Sequence, residues 1–186
     1  MSNPRKIKFL DPREIEDTIS EVAELARSQG IEVALVGGVA MEIYGSDRLT
    51  KDVDVASREP LRDIVRLRPL SFGGHACLTA RTKHPVDIIV RQDDYAALYD
   101  SALDRAVDVG LPLRVVTAEY LAALKMAANR DKDQGDLKKL VELSVLDLGL
   151  ARSIIKKYLG EYAAREFDSL CEEVAWRRSK GLRPKE

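Results

Sequence analysis

Between Ala34 and Ala56 the chain reads ALVGGVAMEIYGSDRLTKDVDVA, and near its end Asp52 and Asp54 alternate with Val53 and Val55. Alternation with period two argues for a strand whose valines enter a core while its carboxylates leave by the other face. Two residues apart, Asp52 and Asp54 would lie about 6.5–7 Å from each other along that strand. Upstream, the apolar run IEVALV reads as a short buried strand, Gly37 and Gly38 as the turn out of it, and VAMEIY as a short helix stopped by Gly45. A strand, a glycine turn, a short helix and an acid-bearing strand thus follow within about 25 residues, and the rest of the chain is placed around them.

Before this unit, DPREIEDTISEVAELARSQG predicts a helix. Asp11 can cap it, Pro12 suits its first position, Glu14 stands where a capping-box acid belongs, and Gly30 ends it. Ile15, Ile19, Val22, Ala23 and Ala26 share its apolar face. After the unit, EPLRDIVRLRPL is expected to be a helix from Pro60 to Pro69, and HACLTARTKHPVDIIV two strands joined near RTKHP. The second of these carries one acid, Asp87, in an apolar run. DDYAALYDSALDRAVDVG reads as an amphipathic helix and LPLRVV as a last strand. From Thr117, which can cap, the pattern is helical to the end with breaks near Gly135, Gly149 and Gly160, and the tail RRSKGLRPKE is expected to fray. The class is α+β: a mixed sheet flanked by helices in residues 1–116, then a helical segment in 117–186.

With 186 residues, 45% of them hydrophobic, the chain can build one compact domain, or one domain with a smaller partner. Its net charge of -1 gives no global attraction to nucleic acid or membrane. The runs ARSIIKKY and RRSKGLRPK would permit local contact with RNA, although such runs are usually solvated surface. No apolar run approaches the roughly 20 residues of a membrane span, and MSNPRKIKFLDPRE lacks the apolar stretch of a signal peptide. Cys77 and Cys171 stand too far apart to suggest a metal-ligand spacing, and His75 and His84 are expected to be structural or superficial. These features suit a cytoplasmic protein with reduced thiols.

Acids on strands are costly unless paired, solvated or bound to a cation. Should the strand of Asp87 neighbour that of Asp52 and Asp54, three carboxylates would converge, and a hard divalent cation would relieve their repulsion. Two such ions can activate an attacking hydroxyl and stabilise the leaving oxygen in a phosphoryl displacement. Glycines lacking side chains allow the backbone to approach a phosphate. The competing reading is plain: Asp-x-Asp is common on exposed strand edges, and Arg48 could pair with Asp52 or Asp54 while Thr50 caps the loop.

The order Gly37-Gly38, short helix, Arg48-x-Thr50, Asp52-x-Asp54, then Asp87 resembles the nucleotidyltransferase superfamily that shares its head domain with DNA polymerase β. Within it, the stretch is similar to AbiEii and MenT-like bacterial proteins, often toxins of toxin–antitoxin pairs. A second segment, LAALKMAANRDKDQGDLKKL, resembles their downstream pattern through Lys125, Asp133 and Asp136. Lys125, Asn129, Asp133 and Asp136 would form one polar stripe if the helix ran unbroken, and a solvated face of ion pairs would give the same pattern. The resemblance covers residues 33–140. Many superfamily members carry Gly-Ser where this chain has Gly37-Gly38.

The resemblance implies a Mg²⁺-dependent (or Mn²⁺-dependent) enzyme moving a nucleoside monophosphate from an NTP such as ATP to a hydroxyl and releasing pyrophosphate. It implies that Asp52, Asp54 and Asp87 bind metal, Asp87 also positioning or deprotonating the nucleophile. Gly37, Gly38, Arg48, Thr50 and Lys125 would hold the nucleotide, with Asp133 and Asp136 ordering the basic groups around Lys125. The acceptor would be a tRNA or a protein hydroxyl, and an antitoxin protein a possible partner. Two other functions remain open: a non-catalytic nucleotide- or partner-binding relative, and a small-molecule enzyme of the antibiotic-nucleotidylating type.

Overall fold

The computed structural model describes residues 8–181, so the last five residues of the basic tail lie outside the described part. The chain divides into two compact units. The first comprises residues 1–43 and 47–116, and the second residues 44–46 and 117–186.

In the first unit, α1 (Pro12–Gln29) starts as its sequence dictates. Asp11 accepts from the Glu14 backbone N–H while the Glu14 carboxylate accepts from that of Asp11, and Gly30 closes the helix in the left-handed conformation. Its inner face buries Ile19, Val22, Ala23 and Ala26, and also Thr18 and Glu21. The buried Glu21 carboxylate accepts from the backbone N–H groups of Arg81 and Thr82 and from the Thr82 hydroxyl, at 2.6–3.1 Å. Burial alone would raise its pKa, but these donors outweigh that and hold the carboxyl below its ordinary value.

Next come β1 (Val33–Val36), α2 (Gly37–Ile43), β2 (Val53–Ser57), β3 (Val65–Pro69), β4 (His75–Leu78), β5 (Pro85–Ile89), α3 (Ala96–Asp104) and β6 (Arg114–Val115). The sheet order is β3-β4-β5-β2-β1-β6. β2 runs parallel to β5 and antiparallel to β1, β1 is parallel to β6, and β4 is antiparallel to both β3 and β5. The sheet is therefore mixed. Val53 and Val55 are fully buried whereas Asp54 between them is half-buried, which is the alternation read from the sequence.

The expected helix from Pro60 to Pro69 does not form. Asp63 takes a left-handed backbone, which breaks any helix there, and the alternating residues Val65 to Pro69 pair with β4 as an exposed edge strand. Local propensity lost to a pairing partner ten residues further on. α3 is also shorter than its sequence pattern, because Val107 leaves it to bridge with Val115.

The second unit holds α4 (Ala118–Ala128), α5 (Asp131–Glu142) and α6 (Leu148–Ser179). Thr117 caps α4 and Asp147 caps α6 through their side chains. Leu121, Leu137, Leu140, Ile155 and Phe167 are fully buried among them. Truncating Phe167 to Ala in such a site costs about 3–5 kcal/mol. The helical run breaks at Asn129, which adopts a left-handed conformation, and not at Gly135, which lies inside α5. Gly149 sits in the first turn of α6, and Gly160 kinks that helix with φ 89° and ψ 175°. Residues 177–179 of the basic tail are still helical.

Candidate active site

Strand register decides which of the acids meet. In the parallel pair of β2 and β5, Asp54 lies opposite Asp87. Neighbouring strands lie about 4.8 Å apart, and residues opposite one another share a face, so these two carboxylates leave the sheet side by side. The same row continues in both directions. Val36 of β1 is opposite Asp54, Ala76 of β4 is opposite Asp87, and Arg68 of β3 is opposite Ala76.

The glycine pair is explained by what lies against it. Gly37 has φ +63°, and a Cβ there would fall 1.9 Å from Oδ2 of Asp54. A Cβ on Gly38 would fall 2.5 Å from Oγ1 of Thr50. No side chain fits at either position without displacing its neighbour, and the Gly38 backbone N–H donates to Asp54 Oδ2 at 3.3 Å. In the structure, then, the pair seats Asp54 and Thr50. The sequence shows the pair as a turn that lets a phosphate approach, and spacing does not show which side chain fills the room the glycines leave.

Thr50 is buried, and its hydroxyl donates to the backbone carbonyl of Asp52 at 2.8 Å, fixing the bend that leads into β2. Asp52 stands just before the strand, half-buried, and its carboxylate makes no hydrogen bond or ion pair among the described residues. Arg48 is half-buried in the preceding loop. Burial pushes the Glu42 carboxyl up, and the charge of Arg48 partly offsets that rise.

Lys125, Asp133 and Asp136 form a cluster of their own within the second unit. Although the helix is interrupted at Asn129, α4 and α5 bring them together. The Lys125 ammonium donates to Asp133 at 3.2 Å and to Asp136, and all three side chains are nearly sealed from solvent. Asp133 also accepts from Arg130 Nε at 2.6 Å. Burial would raise the Asp133 pKa, but the Arg130 hydrogen bond and the two positive charges prevail and hold it below its ordinary value.

Neither cysteine is poised as a nucleophile. Burial pushes the Cys77 thiol up to about 11, with Arg66 lowering and Asp87 raising it further, and burial likewise raises Cys171. An open groove of about 420 Å³ beside Phe72, His75, Gln92 and Asp93 includes none of Asp52, Asp54 and Asp87.

Among the described residues, no group of three or more His, Cys, Asp or Glu side chains is arranged to hold a metal ion by itself. Mg²⁺ is held by one or two carboxylates, with waters and substrate phosphates completing its shell. Asp54 and Asp87 supply such a pair of hard oxygen donors, and Asp52 an uncommitted third.

No family model matches the chain, and no curated protein matches it. Solved structures do. The antibiotic-resistance factor ANT(2'')-Ia is similar over 86% of this chain and 98% of its own, with a TM-score of 0.55 and 14% identity. An antigenic nucleotidyltransferase-like protein from Paracoccidioides brasiliensis is similar over 89% of this chain and 95% of its own, with a TM-score of 0.50 and 16% identity. No described helix is long and apolar enough to cross a membrane. With its six-stranded mixed sheet, flanking helices and long last helix, the chain has a nucleotidyltransferase-like fold.

Proposed function

We propose that the protein is a nucleotidyltransferase that moves a nucleoside monophosphate from an NTP to a hydroxyl acceptor. The observation that carries this reading is the pairing of Asp54 with Asp87 across β2 and β5, beside a glycine turn that leaves Asp54 its room. Two carboxylates at about one strand spacing repel each other, and a divalent cation shared with the substrate phosphates relieves that cost. Mg²⁺, or Mn²⁺ in its place, would be held by Asp54 and Asp87 with Asp52 adjoining, and would supply charge neutralisation on the α-phosphate.

The chain's own residues divide the remaining work. Gly37 and Gly38 leave the β1 end of the acid row open for the triphosphate. Asp87 takes the proton of the acceptor hydroxyl as its oxygen bonds to the α-phosphorus. The bond from the α-phosphorus to the bridging oxygen breaks, and pyrophosphate leaves with that electron pair. Thr50 acts by fixing Asp52, and Arg48 by its positive charge beside the nucleotide. Lys125 is assigned to the phosphates only by its motif; its ammonium is already shared between Asp133 and Asp136.

The acceptor is a tRNA or a protein hydroxyl, and the protein acts as the toxin of a toxin–antitoxin pair held in check by a partner protein. A second reading, a small antibiotic as acceptor, draws on the likeness to ANT(2'')-Ia. Incubation with each α-labelled NTP, Mg²⁺ and a whole-cell extract tests both. Label is expected in RNA or protein with the wild type and nowhere with Asp87→Asn. Label confined to small molecules favours the second reading, and no label with any NTP refutes transfer.

A further inference from the structure

β3 has an irregular register. Arg66 is opposite Cys77, but Arg68 is opposite Ala76, so one extra residue is accommodated between them. In a regular strand the alternation Val-Arg-Leu-Arg would put both arginines on one face. The bulge separates them instead. Arg66 joins the face of Cys77 and donates to the Leu61 carbonyl, whereas Arg68 joins the face of Ala76, Asp87 and Asp54. The Arg68 side chain is exposed and makes no hydrogen bond or ion pair among the described residues.

The row then reads Val36, Asp54, Asp87, Ala76, Arg68, with the glycine turn at one end and an uncommitted guanidinium at the other. Arg68 stands two strands from Asp87, roughly 10 Å between backbones, with Ala76 between them in the row. An in-line displacement needs the acceptor on the side of the α-phosphorus opposite the leaving pyrophosphate. With the triphosphate at the glycine end, the acceptor enters from the β4–β3 end, where Arg68 waits.

We propose that Arg68 positions the acceptor by binding a phosphate group that the acceptor carries near its reactive hydroxyl. This rests on the nucleotidyl-transfer reading above. A planar guanidinium matches a phosphate through two parallel hydrogen bonds, and it opposes a polycationic acceptor. The phosphate could belong to a polynucleotide backbone or to a small phosphorylated alcohol, and the test has an arm for each.

The full chain is titrated with a fluorescein-labelled single-stranded oligoribonucleotide at several salt concentrations, and ribose 5-phosphate is tested as a competitor. Wild type, Arg68→Gln and Arg68→Lys are compared, and MgNTP affinity is measured for each. Arg68→Gln is expected to weaken the preferred probe roughly tenfold, with Arg68→Lys restoring part of the loss and MgNTP affinity unchanged. If the polynucleotide is preferred, the slope of log affinity against log salt falls by about 0.7 in Arg68→Gln. Competition by ribose 5-phosphate that disappears in Arg68→Gln identifies the small acceptor. Equal probe binding by wild type and Arg68→Gln overturns the proposal and leaves Arg68 as a guard of the edge strand. Wild type that binds neither probe overturns it as well, and so does a matching loss of MgNTP affinity. Absence of MgNTP binding in the wild type removes the underlying reading itself, which none of the Arg68 outcomes does.

Discussion

Replacing Lys125 with Met would take a shared ammonium away from two buried carboxylates. Lys125, Asp133 and Asp136 are 5%, 0% and 6% exposed, so water cannot take the place of the ammonium. Removing one partner of a buried pair costs about 3–5 kcal/mol. Arg130 still holds Asp133 through Nε at 2.6 Å, which puts the cost near the lower end, about 3 kcal/mol. For a chain of this length that is roughly 6–12 °C in Tm. Urea unfolding should show a lower midpoint with an unchanged slope. Lys125→Met combined with Asp136→Leu should recover part of the loss, because one of the two buried carboxylates goes with the ammonium. An unchanged midpoint for Lys125→Met, together with weaker NTP binding, would refute this reasoning and put the ammonium on the triphosphate.

Gly37→Ala should cost about 1–2 kcal/mol for its left-handed backbone, and its Cβ should force the Asp54 carboxylate aside. Nucleotide binding measured by calorimetry should fall with it, and retained binding would show that Asp54 need not sit where it does. Thr50→Val keeps the volume but removes the donor to the Asp52 carbonyl, so thermal unfolding should report a loss of about 1 kcal/mol. Acid should destabilise the fold through Glu21 and Asp133, both held below their ordinary values. A lowered native pKa means that the unfolded chain binds more protons. Their contribution is therefore complete above about pH 4.5 and is lost as pH falls through the lowered values. Unfolding midpoints from pH 6 to 2 should show this fall, flattened in Glu21→Gln.

What was legible in the sequence was local. The cap of α1 at Asp11, its stop at Gly30 and the alternation of Val53, Asp54 and Val55 follow from residues within a turn or a strand of each other. β3 was illegible because Val65 to Pro69 carry an amphipathic pattern that only the partner strand resolves, and Arg68 was missed with it. The break at Asn129 was read as lying at Gly135, since glycine is the commoner signal while Asn also tolerates the left-handed backbone. The pairing of Asp87 with Asp54 depends on a crossover between β2 and β5, and spacing along the chain leaves such a register open. The glycine pair was visible as a motif, but its seating of Asp54 and Thr50 is a contact that only coordinates reveal.

Electron paramagnetic resonance of Mn²⁺, titrated with and without NTP, tests the paired acids most directly. With Asp54 and Asp87 as its carboxylate ligands, wild type should take up Mn²⁺ weakly alone and far more tightly once phosphate oxygens complete the shell. Asp54→Asn and Asp87→Asn should each abolish that nucleotide-dependent uptake while unfolding at the wild-type temperature or above, since repulsion between the pair is relieved. Uptake by either variant equal to that of wild type would contradict a metal–nucleotide site at Asp54 and Asp87.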